Sequence, residues 1–239
     1  MKVVIPIAGR GSKFIAAAYD RPKPLIEIKG KLMIRWATDA LPFLVFDENI
    51  IFLINEEHDK NYNLGDKLRE LYGSGPQIIP VGQTEGAAST VLLVKDQINT
   101  EEELIIYNGD QYFNNGVADI IKNKEKDVAG IIPVFRATNQ KWSFVELNET
   151  GYVKKVAEKE PISNLATIGL YYFTHGKDFV WAAERTIAKN LRISGEFYVC
   201  PVYNELIERG DKISAPPVKE MWSLGMPEDV EHFKKYFRG

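Results

Sequence analysis

The first residues whose types and spacing suggest chemistry form the loop Ala8-Gly9-Arg10-Gly11-Ser12-Lys13, which follows the apolar stretch KVVIPI. Because glycine lacks a Cβ, such a loop turns tightly and presents successive backbone N–H groups to an anion. The dinucleotide fingerprint fails because Phe14 stands where its third glycine belongs, and the Walker A pattern fails as well. From these residues alone, an anion-binding loop and an ordinary tight turn both stay open.

A second basic segment carries Lys23 between two prolines, Pro22 and Pro24. Each proline fixes its own φ and disfavours helix at the residue before it, so we expect the lysine on a stiff, extended segment. A rigidly held cation shortly after a glycine loop is suited to neutralising a polyphosphate. A basic, proline-rich surface loop is the alternative interpretation.

Alternating strands and helices are expected to position these residues in the first half of the chain. Buried strands are predicted at 2–7, 49–55, 77–82 and 103–110. Amphipathic helices are predicted at 32–44, 62–72 and 87–97. This order favours right-handed βαβ crossovers, and ligands of such sheets bind beyond the carboxyl ends of the strands, where the glycine loop lies.

The rhythm changes after Asp127, where strands follow one another with few helices between them. The segment NETG at 148–151 lies between two alternating stretches and predicts a β-hairpin. Helices are predicted again at 177–189, at 197–209 and after Pro227, where acidic residues suit a helix N-terminus. We therefore expect an α/β fold with a mixed, mainly parallel central sheet and helices on both faces, as a single domain over 1–239.

Bulk composition excludes several classes of function. With 30 Lys and Arg against 33 Asp and Glu, the formal net charge is −3, so any anionic ligand has to be held by local cations. This balance predicts no binding to nucleic acid or to a membrane surface. The single cysteine, Cys200, excludes an intrachain disulfide and a cysteine-only zinc site. Without a recognisable signal peptide or transmembrane run, a cytoplasmic location is expected.

Four ordered motifs carry a resemblance to a known family. The glycine loop is followed by PKPL and GKLMI, and later motifs are YNGDQYF, VAEKEPISNLATIGLYYF and WSLGMPEDVEHF. Over residues 5–233 the chain resembles the sugar-1-phosphate nucleotidyltransferases, also called nucleoside-diphosphate-sugar pyrophosphorylases. The resemblance implies a Rossmann-like fold of the nucleotide-diphospho-sugar transferase type. It also implies a nucleotide-binding half at 1–126 and an acceptor-binding half at 127–239.

For the nucleotide side, the resemblance implies a nucleoside triphosphate that reacts with a phosphorylated acceptor and releases pyrophosphate. The triphosphate would be cradled by Ala8, Gly9, Gly11 and Ser12, with catalytic charges from Lys23, Lys13 and Arg10. Asp110 would bind Mg²⁺, which favours carboxylate oxygens together with phosphates and water.

The base would be read by a glutamine shortly before a glycine, and Gln83 and Gly86 resemble that pair with a shorter spacing. An amide group both donates and accepts hydrogen bonds, so it suits uracil, thymine or cytosine. A pyrimidine nucleotide is therefore expected, either CTP or UTP/dTTP.

For the acceptor side, the resemblance gives Glu158 to an acceptor hydroxyl and Lys159 to the acceptor phosphate. Thr167 and Gly169 on the next strand would line the same pocket. Glu196, in the segment SGEFYV, is either an acceptor contact or an acidic residue in the first turn of a helix.

Two positions depart from the family pattern. Lys13 stands where arginine is usual, which keeps the charge and loses the bidentate fork. Ser223 stands where many members have a second metal-binding aspartate. Either Asp110 holds the metal with phosphates and water, or Glu196 or Asp229 substitutes, or activity is impaired.

Several functions stay open. A sugar 1-phosphate acceptor, for cell-surface polysaccharide synthesis, is the family default. The motif NGDQYF and the missing aspartate also resemble members that cytidylylate phosphocholine, or the phosphoglutamine of capsule phosphoramidate synthesis. A non-catalytic nucleotide-binding regulatory module is a third possibility. A glycosyltransferase is disfavoured because Asp110-Gln111-Tyr112 lacks Asp-x-Asp. Apolar residues of the last helix leave a homo-oligomer open.

Overall fold

The computed structural model describes residues 1–114 and 116–238. Its strands are β1 (Lys2–Ile7), β2 (Glu27–Ile28), β3 (Lys31–Leu32), β4 (Ile50–Asn55), β5 (Gln77–Val81), β6 (Leu104–Tyr107), β7 (Gln111–Phe113), β8 (Val128–Ile131), β9 (Val134–Arg136), β10 (Ser143–Leu147), β11 (Val153–Glu158), β12 (Leu165–Thr167), β13 (Leu170–Phe173), β14 (Lys212–Ser214) and β15 (Met221–Ser223). Its helices are α1 (Ser12–Ala16), α2 (Met33–Asp39), α3 (Glu56–Tyr62), α4 (Leu64–Tyr72), α5 (Ala87–Leu92), α6 (Lys95–Ile98), α7 (Val117–Lys122), α8 (Gly176–Ala188), α9 (Tyr203–Arg209) and α10 (Pro227–Tyr236).

The central sheet has seven strands in the order β14-β8-β13-β6-β1-β4-β5. The pairs β14–β8, β6–β1 and β4–β5 are parallel, whereas β13 runs antiparallel to both of its neighbours. Every residue of β4 and of β6 is buried, as expected of strands covered on both faces. The expected α/β fold with a mixed, mainly parallel sheet is confirmed.

The chain divides into two compact units built from interleaved segments. The hairpin unit contains Met1–Val4, Thr84–Tyr107 and Gly116–Val218. It includes a second, antiparallel sheet in the order β11-β10-β12-β9, whose β10–β11 pair is the hairpin predicted around 148–151. The loop unit contains Ile5–Gln83 and two shorter segments that begin at Asn108 and Lys219.

An aromatic core closes the loop unit around the end of the chain. On α10, Phe233 is fully buried, and its ring stacks on Phe237 at 4.4 Å between centroids. Both rings meet Trp36 edge-on. The predicted helix after Pro227 is therefore confirmed, and burial of its apolar face is what attaches the last segment of the chain to this unit.

Four predicted helices are shorter or divided. The helix predicted at 197–209 begins at Tyr203, after a 3-10 turn at Cys200–Val202, so Glu196 is not in its first turn. The helix predicted at 62–72 is α4, which begins at Leu64 because Asn63 adopts φ +54, and the helix α3 before it was not predicted. The helix predicted at 87–97 is interrupted at Val94, and that predicted at 32–44 ends at Asp39. The strand predicted at 103–110 ends at Tyr107, before the turn that carries Asp110. Among the described residues, no helix has the length and apolarity needed to span a membrane.

Candidate active site

The glycine loop lies directly after β1 in the loop unit. Gly11 has φ +67, a left-handed conformation that favours glycine, and Ser12 begins α1 immediately after it. The Asn55 side chain at the end of β4 donates a hydrogen bond of 3.1 Å to the Ala8 carbonyl. A Cβ added at Gly11 would lie 3.6 Å from Cβ of Lys23, so the loop and the predicted catalytic lysine are neighbours.

Lys23 forms an ion pair with Asp110, from its Nζ to Oδ2. The two side chains keep only 24% and 17% of their exposure, so the pair is largely removed from water. Lys23 is the first residue of a 3-10 turn, Lys23–Leu25, and only Pro22 before it is extended. The expected extended conformation of the lysine itself is therefore wrong, because the turn forms between the Pro22 carbonyl and the Leu25 amide.

Asp110 is fixed by close backbone packing. Gly109 has φ +75, and a Cβ there would lie 2.9 Å from the Ile7 side chain. The Asp110 carbonyl accepts a hydrogen bond of 2.8 Å from the Leu224 amide, and a Cβ at Gly225 would lie 3.2 Å from Oδ2. The glycines on either side thus let two backbone segments enclose one carboxylate.

The second oxygen of Asp110 suits a cation. Oδ1 is buried and has no hydrogen-bond partner among the described residues, although burying an unpaired carboxylate oxygen is costly. Among the residues that the structure describes, there is no group of three or more His, Cys, Asp or Glu that could hold a metal ion. Mg²⁺ needs only one or two carboxylates when phosphates and water complete its octahedron, so this arrangement fits it.

Ser223, which replaces the aspartate of the family pattern, is bonded to another carboxylate. Its Oγ donates a 2.7 Å hydrogen bond to Oδ2 of Asp229, in the first turn of α10. The backbone amide of Gly225 in turn donates to Ser223 Oγ at 3.2 Å. Asp229 is therefore the alternative carboxylate that the structure brings to the Ser223 position, whereas Glu196 belongs to the hairpin unit.

The remaining cations of the glycine loop have replaceable partners. The Nζ of Lys13 lies 3.2 Å from the Met226 sulfur, which is a weak acceptor. The Arg10 guanidinium donates a 2.5 Å hydrogen bond to Oε1 of Gln83, so a predicted phosphate contact and the predicted base reader touch each other. Arginine can only donate hydrogen bonds, so the oxygen of the Gln83 amide must face Arg10. The NH₂ group of Gln83 is then left for other partners.

In the hairpin unit, Glu158 lies at the end of β11 opposite Ser143 on β10. The Ser143 hydroxyl donates a hydrogen bond to Oε2 of Glu158. Burial raises the pKa of Glu158 above its usual range; Ser143 and the Lys159 ammonium oppose the rise, and the Glu196 carboxylate adds to it. The charges of Lys159 and Glu196 therefore lie near enough to Glu158 to affect its carboxylate.

Behind Glu158 lies a set of buried hydroxyl and thiol groups. Thr167 is buried at the end of β12, and its hydroxyl lies 3.2 Å from the Tyr171 hydroxyl. Burial raises the pKa of Tyr171 and of Cys200, with a further contribution from Glu158 to each. Both groups stay protonated near neutral pH. They support the pocket through hydrogen bonds and supply no nucleophile.

Two predicted glycines of this unit have positive φ values. Gly169 has φ +74 in the turn between β12 and β13. Gly86 has φ +120, and a Cβ there would lie 2.5 Å from the Phe197 carbonyl oxygen and 2.6 Å from its nitrogen. The Phe197 amide donates to the Glu85 carbonyl at 2.7 Å, so the segment before α5 is attached to the segment that carries Glu196.

One residue of this pocket, Tyr198, was missed from the sequence. Lys159 Nζ donates a 2.5 Å hydrogen bond to its hydroxyl and lies 4.6 Å from the centroid of its ring. Burial raises the pKa of Tyr198, and a hydrogen bond with Glu196 raises it further. An aromatic residue two positions after Glu196 was the available signal, but the contact joins residues 39 positions apart, which no local pattern reveals.

Comparison with protein families decides the class of the chain. The family model described as nucleotidyl transferase matches residues 2–223, which is most of the chain. The chain belongs to the nucleotidyl transferase family. The resemblance inferred from the four motifs is therefore confirmed at the level of the family.

Curated relatives and a solved structure agree with this assignment. The low-salt glycan biosynthesis nucleotidyltransferase Agl11 of Haloferax volcanii is 28% identical over 96% of this chain, which spans only 64% of that relative. The UTP–glucose-1-phosphate uridylyltransferase AglF of the same organism is 27% identical, over 96% of this chain and 93% of its own length. The crystal structure of a nucleoside-diphosphate-sugar pyrophosphorylase from Vibrio cholerae RC9 is 26% identical, with a TM-score of 0.84, and covers 98% of this nucleotidyl transferase family member and 100% of that chain.

Proposed function

We propose that this chain catalyses Mg²⁺-dependent transfer of a nucleotide from a pyrimidine nucleoside triphosphate to a phosphorylated acceptor, with release of pyrophosphate. The Lys23–Asp110 pair is the observation that carries the proposal, because it joins a cation beside the glycine loop to a carboxylate with an unpaired, buried oxygen. A structural ion pair alone would leave that oxygen unexplained. A triphosphate with its metal ion accounts for both groups.

In the proposed reaction, an oxygen of the acceptor phosphate attacks the α-phosphorus in line, and the bond from the α-phosphorus to the bridging oxygen breaks. The electron pair of that bond leaves with pyrophosphate. Such a transfer depends on positioning and charge neutralisation more than on covalent catalysis. When bound, Mg²⁺ held by Asp110 would neutralise phosphate charge, with Asp229 as the carboxylate available at Ser223.

The side chains of the loop unit provide the remaining charges. Lys23, held by Asp110, neutralises charge that develops between the α-phosphate and the attacking phosphate. Lys13 leaves the Met226 sulfur at little cost, because a thioether accepts only weak hydrogen bonds, and turns to the departing β- and γ-phosphates together with Arg10. The backbone of Gly9, Gly11 and Ser12 cradles the triphosphate.

The acceptor class is proposed from the hairpin unit. Lys159 binds the acceptor phosphate, and Glu158 accepts a hydrogen bond from an acceptor hydroxyl, so a sugar 1-phosphate is the first candidate. Surface polysaccharide synthesis in the cytoplasm is the corresponding role. The two Haloferax relatives, one named for glycan biosynthesis and one for glucose 1-phosphate, support it.

A second candidate is a cytidylyltransferase for a phosphorylated acceptor that carries an ammonium group, such as phosphocholine or phosphoglutamine. Around the Glu158 side chain, Glu158 and Glu196 contribute two negative charges and Lys159 contributes one positive charge. An excess of negative charge suits a cationic acceptor as well as it suits a hydroxyl.

A panel assay tests these proposals. Each of CTP, UTP, dTTP, ATP and GTP is incubated with Mg²⁺ and one acceptor, chosen from hexose 1-phosphates, phosphocholine and phosphoglutamine, and pyrophosphate release is measured. Release with a pyrimidine nucleotide and one acceptor class is the expected result, and Asp110→Asn is the inactive control. If no pair releases pyrophosphate while calorimetry shows nucleotide binding, the regulatory alternative replaces the enzyme.

A further inference from the structure

Lys159 has an unusual environment for a lysine that binds a phosphate. Its φ is +58, a left-handed conformation that costs free energy for a residue other than glycine. Its amide donates a 2.9 Å hydrogen bond to the Trp142 carbonyl, which holds this conformation at the end of β11.

The ammonium group of Lys159 then meets the hydroxyl end of Tyr198. It donates a hydrogen bond to the hydroxyl at 2.5 Å, and at 4.6 Å from the ring centroid it lies beside the phenol oxygen. The hydroxyl in turn bonds with the Glu196 carboxylate. Tyr198 therefore links the lysine to a carboxylate that the sequence also assigns to the acceptor.

Tyr198 is itself held firmly. The residues on either side of it, Phe197 and Val199, are buried. The Phe197 ring is covered by the Arg192 guanidinium at 4.2 Å, and Arg192 is paired with Glu85 at 2.8 Å. Tyr198 is thus a fixed contact for the Lys159 side chain, whose four rotatable bonds would otherwise leave it free to adopt many conformations.

We propose that Tyr198 is the positioning residue that holds the Lys159 ammonium at the acceptor subsite and so sets the affinity for the acceptor phosphate. This inference rests on the proposed function. The ordering of a long lysine is completed before the acceptor arrives, so less conformational entropy is lost when the phosphate binds. The contact strengthens acceptor binding and leaves the triphosphate contacts of the loop unit unchanged.

Two substitutions test this contact. Tyr198→Phe keeps the ring and removes the hydroxyl, and we expect the KM for the acceptor to rise about 10-fold. Tyr198→Leu removes the hydroxyl together with the ring, and is expected to raise the KM by about 10-fold or more. In both variants kcat and the KM for the nucleotide stay close to wild type.

The chain offers a matched control in the same unit. Tyr152 donates a 2.5 Å hydrogen bond to Glu125, and Lys212 lies 5.3 Å from its ring centroid, so it forms a similar trio of tyrosine, carboxylate and lysine. Tyr152→Phe is expected to leave all kinetic constants unchanged. An equal rise in acceptor KM in this control would show that the effect is general loss of stability, which contradicts the proposal.

A double-mutant cycle tests whether Tyr198 acts through Lys159. In a Lys159→Met background, Tyr198→Phe should have no further effect on the acceptor KM, because the group that it positions is absent. Multiplicative effects of the two substitutions would overturn the proposal.

A measurement independent of turnover is the NMR signal of the Lys159 Hε protons, assigned with Lys159→Met. Loss of the hydroxyl contact in Tyr198→Phe should change this chemical shift, whereas Tyr152→Phe should leave it unchanged. An unchanged signal in Tyr198→Phe would overturn the proposal even if the panel assay succeeds. A chain whose Lys159 signal responds to Tyr198→Phe, but that releases no pyrophosphate with any pair, contradicts only the proposed function.

Discussion

Lys23 in the loop unit is paired with a carboxylate, whereas Lys159 in the hairpin unit lies against a tyrosine. The first lysine is largely buried and carries its counter-charge with it, and its pair is kept in place by glycines that allow backbones to approach. The second lysine is exposed and has a strained backbone. Burial raises the pKa of its neighbour Glu158. In the proposed function, the first arrangement suits a transition state that gathers negative charge, and the second suits selection among acceptors.

The largest effect is expected at Asp110, the ion-pair partner of Lys23 in the loop unit. Asp110→Asn should lower kcat by about 10³-fold, because it removes the charge on the unpaired oxygen together with the partner of Lys23. Mg²⁺ dependence of turnover and circular dichroism provide the measurement. Asp119→Asn, on the exposed side of α7, is the control. A folded Asp110→Asn variant with wild-type Mg²⁺ dependence would remove Asp110 from this role.

Next in size is Lys23. Lys23→Ala should lower kcat by about 10²-fold or more, and Lys60→Ala, an exposed lysine of α3, should not. Because each single substitution leaves one charge largely buried and unpaired, Lys23→Met combined with Asp110→Asn should be more stable than either single variant, yet inactive. Thermal unfolding and turnover measured together check this. Recovery of activity in the double variant would show that the pair serves stability alone.

A smaller effect is expected at Asp229, bonded to Ser223. Asp229→Asn should raise the Mg²⁺ concentration for half-maximal activity about 10-fold, the usual scale for a group that orients or supplements a metal ligand. Ser223→Ala keeps the carboxylate and should fall between this variant and wild type. Glu228→Gln, in the same first turn of α10, is the control. Identical Mg²⁺ titrations for Asp229→Asn and wild type would leave Asp110 with the metal alone.

The contact between Arg10 and Gln83 predicts an effect on base selection. With Oε1 facing Arg10, the Gln83 amide offers its NH₂ group. We expect this donor to meet ring position 3 of the base, where cytosine presents an acceptor and uracil an N–H, so that cytosine is preferred. Arg10→Leu should reduce the ratio of kcat/KM for CTP to that for UTP about fivefold, the value of one neutral hydrogen bond. Arg21→Leu is the control, and a preference for UTP in the wild type would contradict the prediction.

The smallest expected effect is a pH shift in the hairpin unit. Glu196→Gln removes one cause of the raised pKa of Glu158, so the acid limb of kcat/KM for the acceptor should move to lower pH. With its pKa raised by folding, Glu158 contributes to the free energy of unfolding at low pH, and this contribution is lost as pH rises through the raised pKa. Glu149→Gln, in the hairpin turn, should leave the pH profile unchanged. If Glu196→Gln also leaves the acid limb unchanged, Glu196 does not influence the ionisation of Glu158 that the profile reports.

The same contrast explains what the sequence could reveal. The strands, the hairpin and the helix after Pro227 follow from local periodicity and turn residues. Their existence was predicted correctly, although the strand predicted at 103–110 ends at Tyr107. Asn63, in contrast, separates α4 from the unpredicted helix α3 through a left-handed conformation that its residue type permits but does not require. The 3-10 turn at Lys23 likewise depends on a single backbone hydrogen bond within the proline-rich segment.

The candidate sites divide in a similar way. Asp110 after its glycine is a local pattern, so its placement at the turn after β6 could be anticipated. The contacts of Arg10 with Gln83 and of Lys159 with Tyr198 join positions 73 and 39 residues apart, and only the folded chain brings them together. The assignments of individual residues to nucleotide and acceptor remain predictions that the variants above address.

The close approach of Gly86 to Phe197 has a consequence for how this chain can vary. A methyl group at position 86 would meet both the carbonyl and the amide of Phe197, neither of which can rotate away as a side chain would. A mutational library should therefore recover glycine almost exclusively at position 86, whichever nucleotide is supplied during selection. Natural or directed changes of substrate would have to arise around this position, with the glycine left unchanged.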